Sequence, residues 1–472
     1  MINLNRLTLI TCILLTLALI IIVILYPFLN VDGGFYLCFA RDMIAFHKDY
    51  YSSLSEYSPL AILILGLPFF IKFDIASPLV FLLIVLFFNL LNTFLFYKIL
   101  EYLKINNLLK TIYTSFFCLY VFLLDGTLLI LEPFVLFFAL IGVIFIFREK
   151  YLMAGLMVFL SFYSKQYGLF SLPAFILLPF IISSKWGESV KKASKVLIGF
   201  LIPFIILLFY VNNFYNNIYD SLLRIMGIGS FGLNATGDGH HILRVFYNSY
   251  QLVISYPFLC FGIYLLFRHF RSSWNIFYEQ NQEKLQHLFF IFLLLMGSLF
   301  QLFFASYFHY FILIIPWLMI LTAILHSEFI KNRIDSIVFA VFIIISLFMS
   351  SLVVYDISIR KPKSYKDQIS QTKYLNEIVP RGSKVQLQRK YIYPYQFFLA
   401  GYLSSNYQSL GYHWDNMQNP DYIISQMEEG SYYICKKELD LTDTQRIQFK
   451  KVYLINQADT IIVYKIGPEL TK

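Results

Sequence analysis

Residues 7–29 read LTLITCILLTLALIIIVILYPFL, an apolar run without a charged side chain. A run of this length crosses the roughly 30 Å hydrocarbon core of a bilayer as one helix. It is too long for the apolar core of a cleavable signal peptide and has no small-residue cleavage site, so it predicts a permanent membrane anchor. The next residues, 30–36, read NVDGGFY and place Asp32 at the edge of the membrane.

The composition of the whole chain extends this prediction. Hydrophobic residues make up 58% of the 472 residues and charged residues only 14%, which excludes an ordinary soluble globular protein. The pattern predicts an α-helical polytopic membrane protein with about 11 transmembrane helices. These spans are predicted near residues 7–29, 77–97, 111–124, 127–147, 151–164, 168–184, 196–213, 250–267, 288–305, 310–326 and 336–354. The apolar run 59–73 is left out as a surface or re-entrant helix, because counting it would place Lys98, Lys104 and Lys110 outside the cell.

The basic residues predict how the chain is oriented. The net charge of +9 does not indicate a nucleic-acid partner, since the basic side chains lie in short loops between spans. Placing these loops in the cytoplasm puts the N-terminus inside and the long loops 30–76 and 214–249 outside. The richness in Ile, Asn, Lys, Phe and Tyr suits an AT-rich bacterial genome, so we predict a location in the bacterial plasma membrane.

The C-terminal part has a different composition. From about residue 355 the sequence becomes that of a water-soluble domain. We therefore predict a membrane domain over residues 1–354 and a small extracytoplasmic α/β domain over residues 355–472. Short strands are predicted at Lys384–Gln388, Tyr432–Lys436 and Asp459–Ile466.

Asp32 is the first candidate for a chemical role. Gly33 and Gly34 follow it, which predicts a sharp backbone turn that a substrate can approach closely. A carboxylate at the outer edge of the membrane suits a general base that takes the proton of a hydroxyl group. Capping of the following helix is the alternative role. That helix, Phe35–Phe46, is predicted to lie along the membrane surface with Arg41 on its polar face.

Three further ionisable residues, Glu132, Lys165 and His309, lie at predicted outer ends of spans. Charges at membrane depth are costly and by default mark function, although such side chains also anchor helix ends to lipid headgroups. Glu132 precedes Pro133, which predicts either a second acid near the substrate or a helix cap. Lys165 breaks the positive-inside trend, which predicts either contact with a lipid phosphate or simple anchoring.

His309 and Tyr310 open the span that carries Pro316. This pair either forms hydrogen bonds to a sugar or phosphate or belongs to an aromatic belt at the membrane interface. The two readings stay open.

The loop 214–249 contains Arg224, Arg244 and the adjacent pair His240-His241. Arginine binds phosphate through two parallel hydrogen bonds, so the arginines are candidate phosphate ligands. The two histidines are a weak metal signal, because no third ligand accompanies them. We predict no metal ligand set, while a requirement for a divalent metal stays open.

This arrangement resembles the membrane glycosyltransferases of the GT-C fold, and within them the family-39-like group of protein mannosyltransferases and lipid A aminoarabinose transferases. The resemblance covers roughly residues 1–330 and depends on the order and placement of motifs. Those motifs are Asp32 after the first span, the helix Phe35–Phe46, Tyr57-Ser58-Pro59-Leu60, Glu132-Pro133, Lys165-Gln166, and His309-Tyr310 leading to Pro316.

The resemblance implies a hexosyl- or pentosyltransferase that inverts the transferred sugar. Its donor would be a sugar linked to a polyprenyl phosphate in the membrane, and its acceptor a cell-envelope glycan, lipid or protein on the outer face. By the same resemblance Asp32 is the acid that activates the acceptor. Lys165 with Arg224 or Arg244 would bind the phosphate, and Glu132 and His309 would hold the sugar or acceptor.

Two departures from the family pattern bear on these roles. Many relatives have a second acid directly after the first, whereas Gly33 follows Asp32 here. Many also have a lysine or tyrosine before two prolines. This chain keeps only Pro59, with Tyr57 two residues earlier as a candidate binding residue.

Two other classes of function stay open. A polysaccharide polymerase or ligase also uses lipid-linked donors, but usually depends on arginines and a histidine in a large later loop such as 214–249. A transporter of lipid-linked sugars is disfavoured, because the predicted spans lack charged residues near their middle, where a polar pathway needs them.

Overall fold

The computed structural model describes most of the chain. The described residues are 2–45, 59–72, 77–182, 185–215, 217–226, 247–252, 256–265, 267–268, 282–303, 308–329, 333–387, 398–399, 403–404, 429–435, 441–456 and 460–467.

Helices dominate the described residues. They are α1 Ile2–Leu25, α2 Val31–Ala45, α3 Pro59–Ile71, α4 Leu79–Tyr102, α5 Asn107–Val121, α6 Glu132–Phe147, α7 Tyr151–Ser164, α8 Leu172–Ile182, α9 Trp186–Tyr215, α10 Ile218–Met226, α11 Gln282–Phe300, α12 Ile315–Phe329, α13 Arg333–Ile378 and α14 Asp443–Gln448. Residues 247–252 and 258–265 are also helical.

Five of these helices are long and apolar enough to cross a membrane, among the residues that the structure describes. They begin at Leu4, Leu79, Asn107, Trp186 and Ile334, and six further apolar helices are shorter. In lipid a helix satisfies its own backbone hydrogen bonds, which is why apolar runs of this kind become helices there. The predicted class, an α-helical polytopic membrane protein, is confirmed.

Small residues let α7 and α9 pack closely. A Cβ atom added to Gly155 would lie 2.0 Å from the backbone oxygen of Val196, and one added to Gly199 would lie 2.1 Å from that of Leu152. Each helix thus presents a glycine to the backbone of the other. Contacts of this kind hold helices together in a bilayer, where apolar side chains gain little by leaving lipid.

The chain divides into two compact units. One contains residues 1–25, 56–61 and 83–360, and the other contains residues 26–55, 62–82 and 361–472. Helix α13 runs unbroken through residue 355, where the composition changes. A helix can pass such a change because its backbone hydrogen bonds are internal in lipid and in water alike.

The C-terminal residues form a mixed five-stranded sheet in the order β2-β1-β3-β5-β4. β1 pairs in parallel with β2 and β3, while β5 pairs antiparallel with β3 and β4. The strands are β1 Lys384–Leu387, β2 Leu403–Ser404, β3 Tyr432–Cys435, β4 Phe449–Asn456 and β5 Thr460–Ile466. The three strands predicted from the sequence correspond to β1, β3 and β5, which confirms the predicted α/β character of this region.

Candidate active site

A buried ion pair lies where α6 begins and α7 ends. Glu132 is the first residue of α6 and is followed by Pro133, which suits this position because the first turn of a helix does not use its N–H groups. Lys165 follows the last residue of α7 in an extended conformation. Its Nζ lies 2.5 Å from Glu132 Oε1. Glu132 is 0% exposed and Lys165 5% exposed, so the pair is held away from solvent.

Aromatic rings and a histidine surround this pair. His309 Nε2 lies 3.7 Å from Glu132 Oε1. The Nζ of Lys165 lies 4.7 Å from the centroid of the Tyr310 ring and 5.5 Å from that of Tyr167. The two tyrosine rings meet edge to face with centroids 4.8 Å apart. A cation over desolvated ring faces is stabilised by the negative face of the ring, so the lysine charge is balanced on several sides.

The two oxygens of the Glu132 carboxylate differ in their hydrogen bonding. Its Oε1 is engaged by Lys165, while its Oε2 is buried and has no hydrogen-bond partner among the residues that the structure describes. A buried carboxylate oxygen is costly to leave without a donor. The arrangement is therefore suited to accept a hydrogen bond from a hydroxyl group of a bound substrate.

Three polar side chains within apolar segments hold this cluster in place. Asn92 Nδ2 donates to the backbone oxygen of Pro133 at 2.9 Å, and Ser161 Oγ donates to that of Val135 at 2.9 Å. Gln301 Nε2 donates to the backbone oxygen of Tyr310 at 3.2 Å. The sequence analysis missed all three. For Asn92 and Gln301, an amide in an otherwise apolar span was the available signal, since such groups need a partner in the membrane.

Asp125 is a further acid that the sequence analysis missed. It lies in a π-helical turn, Phe122–Gly126, with a backbone φ of 63°. This turn packs against the short helix Phe308–Leu313, which carries His309. Turns of this kind and left-handed non-glycine residues occur often at functional sites.

Gly168 permits the chain to fold back directly after Lys165. Its N–H donates to the backbone oxygen of Lys165 at 3.0 Å, within a 3-10 helix that spans Gln166–Ser171. A Cβ atom added there would lie 2.3 Å from the backbone carbon of Ser161 and 2.4 Å from the nitrogen of Phe162. The backbone of α7 cannot move aside without displacing Lys165.

Gly168→Ala is therefore expected to destabilise the protein by about 1–3 kcal/mol or more and to lower its activity. Thermal unfolding in detergent measures the first effect. Gly187→Ala is the matched control, since an added Cβ there meets nothing within 4 Å. That change removes a glycine from helix α9 and should leave stability equal or higher. Equal unfolding temperatures for wild type and Gly168→Ala would show that the backbone contact is unimportant.

Asp32 lies in the first turn of α2 and is exposed. The sharp turn predicted at Gly33 and Gly34 is wrong, because both glycines are buried inside the helix. The prediction that Arg41 lies on a polar face of this helix is also wrong. Arg41 is only 3% exposed, and its guanidinium lies 5.4 Å from the Phe398 ring centroid.

The structure thus brings together Glu132, Lys165, His309 and Tyr310, with Gln166 buried in the next position after Lys165. Asp32 belongs to the other compact unit. Arg224 lies in α10, but its side chain is not among the parts that the structure describes. The other predicted residues Tyr57, Arg244, His240 and His241 lie outside the described residues. In the described part of the chain no three His, Cys, Asp or Glu side chains cluster as metal ligands.

The described helices and the C-terminal mixed sheet form the fold of a polytopic membrane protein, and two solved structures share this fold. ArnT from Cupriavidus metallidurans bound to undecaprenyl phosphate has this architecture, with a TM-score of 0.55, 11% identity, and coverage of 98% of this chain and 99% of that chain. ArnT from the same organism in the apo state has a TM-score of 0.53 and 10% identity, with coverage of 98% of both chains. At this identity the likeness shows the fold. No protein-family model matches the sequence, and none of the curated proteins matches it.

Proposed function

We propose that this protein is a membrane glycosyltransferase. It takes a sugar from a polyprenyl-phosphate-linked donor and transfers it to a cell-envelope glycan, lipid or protein on the outer face of the plasma membrane. The observation that carries the proposal is the fold, which is shared over nearly the whole chain with ArnT bound to undecaprenyl phosphate. The N-terminus is cytoplasmic and the C-terminal sheet extracytoplasmic in this proposal.

The reaction needs few catalytic groups. The acceptor hydroxyl attacks the anomeric carbon, a new glycosidic bond forms, and the bond from that carbon to the phosphate oxygen breaks. Polyprenyl phosphate leaves with the electron pair, and the hydroxyl proton passes to the carboxylate of Asp32. In-line attack inverts the anomeric centre. A phosphate leaving group needs cationic stabilisation rather than a strong general acid, so orientation and charge supply most of the catalysis.

The geometry refines the role of Lys165. Its charge is already balanced by Glu132 at 2.5 Å, so it does not bring a full free positive charge to the phosphate. We therefore assign the neutralisation of the phosphate charge mainly to Arg224 and Arg244. Lys165 adds a hydrogen bond to the phosphate. Glu132 Oε2 then accepts from a sugar hydroxyl, beside Gln166, His309 and Tyr310. Tyr57 is assigned to donor binding.

Turnover of a donor panel tests this function. Purified protein in lipid nanodiscs is incubated with a cell-envelope extract as acceptor and with polyprenyl phosphates that carry different hexoses and pentoses, and the release of free polyprenyl phosphate is measured. We expect turnover of at least one donor, and inhibition by undecaprenyl phosphate as the product. Failure to turn over any donor, or to bind undecaprenyl phosphate, would overturn the proposal.

A further inference from the structure

The short link between α1 and α2 is held by hydrogen bonds to a side chain that is distant in the sequence. This link, residues 26–30, leads directly to Asp32. The side-chain oxygen of Gln368 accepts from the backbone N–H of Leu29 at 3.2 Å, and its Nε2 donates to the backbone oxygen of Leu29 at 2.6 Å. Leu29 is 0% exposed and Gln368 3% exposed, so both hydrogen bonds are buried.

A primary amide is suited to this task by its chemistry. A buried backbone N–H and C=O each need a partner, since leaving either without one costs free energy. A glutamine side chain presents a donor and an acceptor side by side, while ionised glutamate presents acceptors only. Methionine has nearly the same length and presents neither. The two bonds on Leu29 therefore depend on the amide itself.

Gln368 belongs to a face of α13 along which the link lies. The Tyr365 ring meets the Tyr26 ring edge to face, with centroids 6.2 Å apart. One turn after Gln368, Thr372 Oγ1 donates to the backbone oxygen of Gln368 at 2.7 Å. These two contacts lie on either side of Gln368 on the same face of α13.

Helix α2 is also held farther along by the C-terminal region. Its first turn follows Leu29 directly, and there the N–H of Gly34 donates to the backbone oxygen of Asn30 at 2.9 Å. Toward its other end, Arg41 lies over the Phe398 ring, and strand β2 packs against the helix. Residues 361–472 thus contact α2 and the link before it at several points.

We propose that Gln368 is a positioning residue for Asp32, and that the C-terminal region serves to orient this acid for proton transfer. The inference rests on the proposed function, in which Asp32 is the general base. Leu29 is three positions before Asp32, so releasing Leu29 frees the start of α2 and the direction of the carboxylate. The C-terminal region then contributes to catalysis by positioning Asp32.

The test uses Gln368→Met and Gln368→Glu in the full chain. Misplacement of a catalytic group by about 1 Å costs roughly 100-fold in rate, so we expect kcat to fall roughly 10- to 100-fold in both variants. The KM for the lipid-linked donor should stay within about twofold, because the acid acts in the transfer step and not in donor binding. Gln371→Glu is the matched control, as Gln371 is exposed on the same helix. It should keep the wild-type kcat.

Hydrogen exchange gives a readout that does not depend on turnover. Amides of residues 26–34 should exchange faster in both Gln368 variants than in wild type and Gln371→Glu. Unchanged exchange would contradict the two hydrogen bonds by which Gln368 holds Leu29. Faster exchange with unchanged kcat, or a loss that appears only in KM, would overturn the positioning role. An inactive wild type would instead overturn the proposed function and the positioning role of Gln368 with it. The exchange data would still test the hydrogen bonds between Gln368 and Leu29.

Discussion

Lys165→Met is expected to lower the stability of the protein and to abolish its activity. The change removes the ammonium group that lies 2.5 Å from Glu132 and leaves a fully buried carboxylate with His309 as a neighbour. Breaking a buried pair by removing one partner typically costs about 3–5 kcal/mol, because the other charge loses its compensation. Thermal unfolding in detergent and donor turnover measure the two effects.

The double variant Glu132→Gln with Lys165→Met separates stability from function. It removes both charges together, and replacing a buried pair by neutral groups is often close to neutral in stability. We expect its unfolding temperature to recover most of the loss, whereas turnover stays absent because the substrate has lost both charged contacts. Wild-type stability in Lys165→Met alone would contradict the buried pair. Recovered turnover in the double variant would remove the cluster from the reaction.

Asp32→Asn is expected to lower kcat by roughly 10²- to 10⁴-fold, the usual contribution of a general base. Donor binding should change little, because the carboxylate acts on the acceptor proton. Asp32 is the second residue of α2 and lies past the cap position, so a loss of activity cannot come from a lost cap. Only the interaction of the charge with the helix dipole is removed, which is worth about 0.3–1 kcal/mol.

Glu188→Gln is the matched control for Asp32→Asn. Glu188 is an exposed acid in the first turn of α9, as Asp32 is in the first turn of α2. The two variants lose the same kind of charge at the same kind of position, so their stabilities should change alike. Single-turnover kinetics on a reactive donor compare their transfer rates. Equal kcat in wild type and Asp32→Asn would exclude Asp32 as the base.

Several features of the site followed from the sequence. Glu132, Lys165 and His309 were placed at one end of the predicted spans by counting apolar runs and basic loops. The structure brings these three side chains together. This succeeded because the length of an apolar run and the position of a charge in it are local properties, and the bilayer converts them into depth.

Other features depended on which helix packs against which. The sequence analysis did not predict that Lys165 pairs with the carboxylate of Glu132. It put Arg41 on a polar face, whereas that side chain is buried against Phe398. A helical pattern tells which residues share a face, but the neighbour that covers the face comes from elsewhere in the chain.

The sequence by itself determined the class of this protein, a bundle of apolar helices with its charges kept to the helix ends, because transfer into a bilayer is decided residue by residue. The tertiary structure alone decided the supports of the site, among them Asn92 on Pro133 and Gln368 on Leu29. Gln368 and Leu29 are separated by 339 positions. Their hydrogen bonds exist only once the packed helices bring an amide to a buried backbone group, and no local pattern records such a meeting.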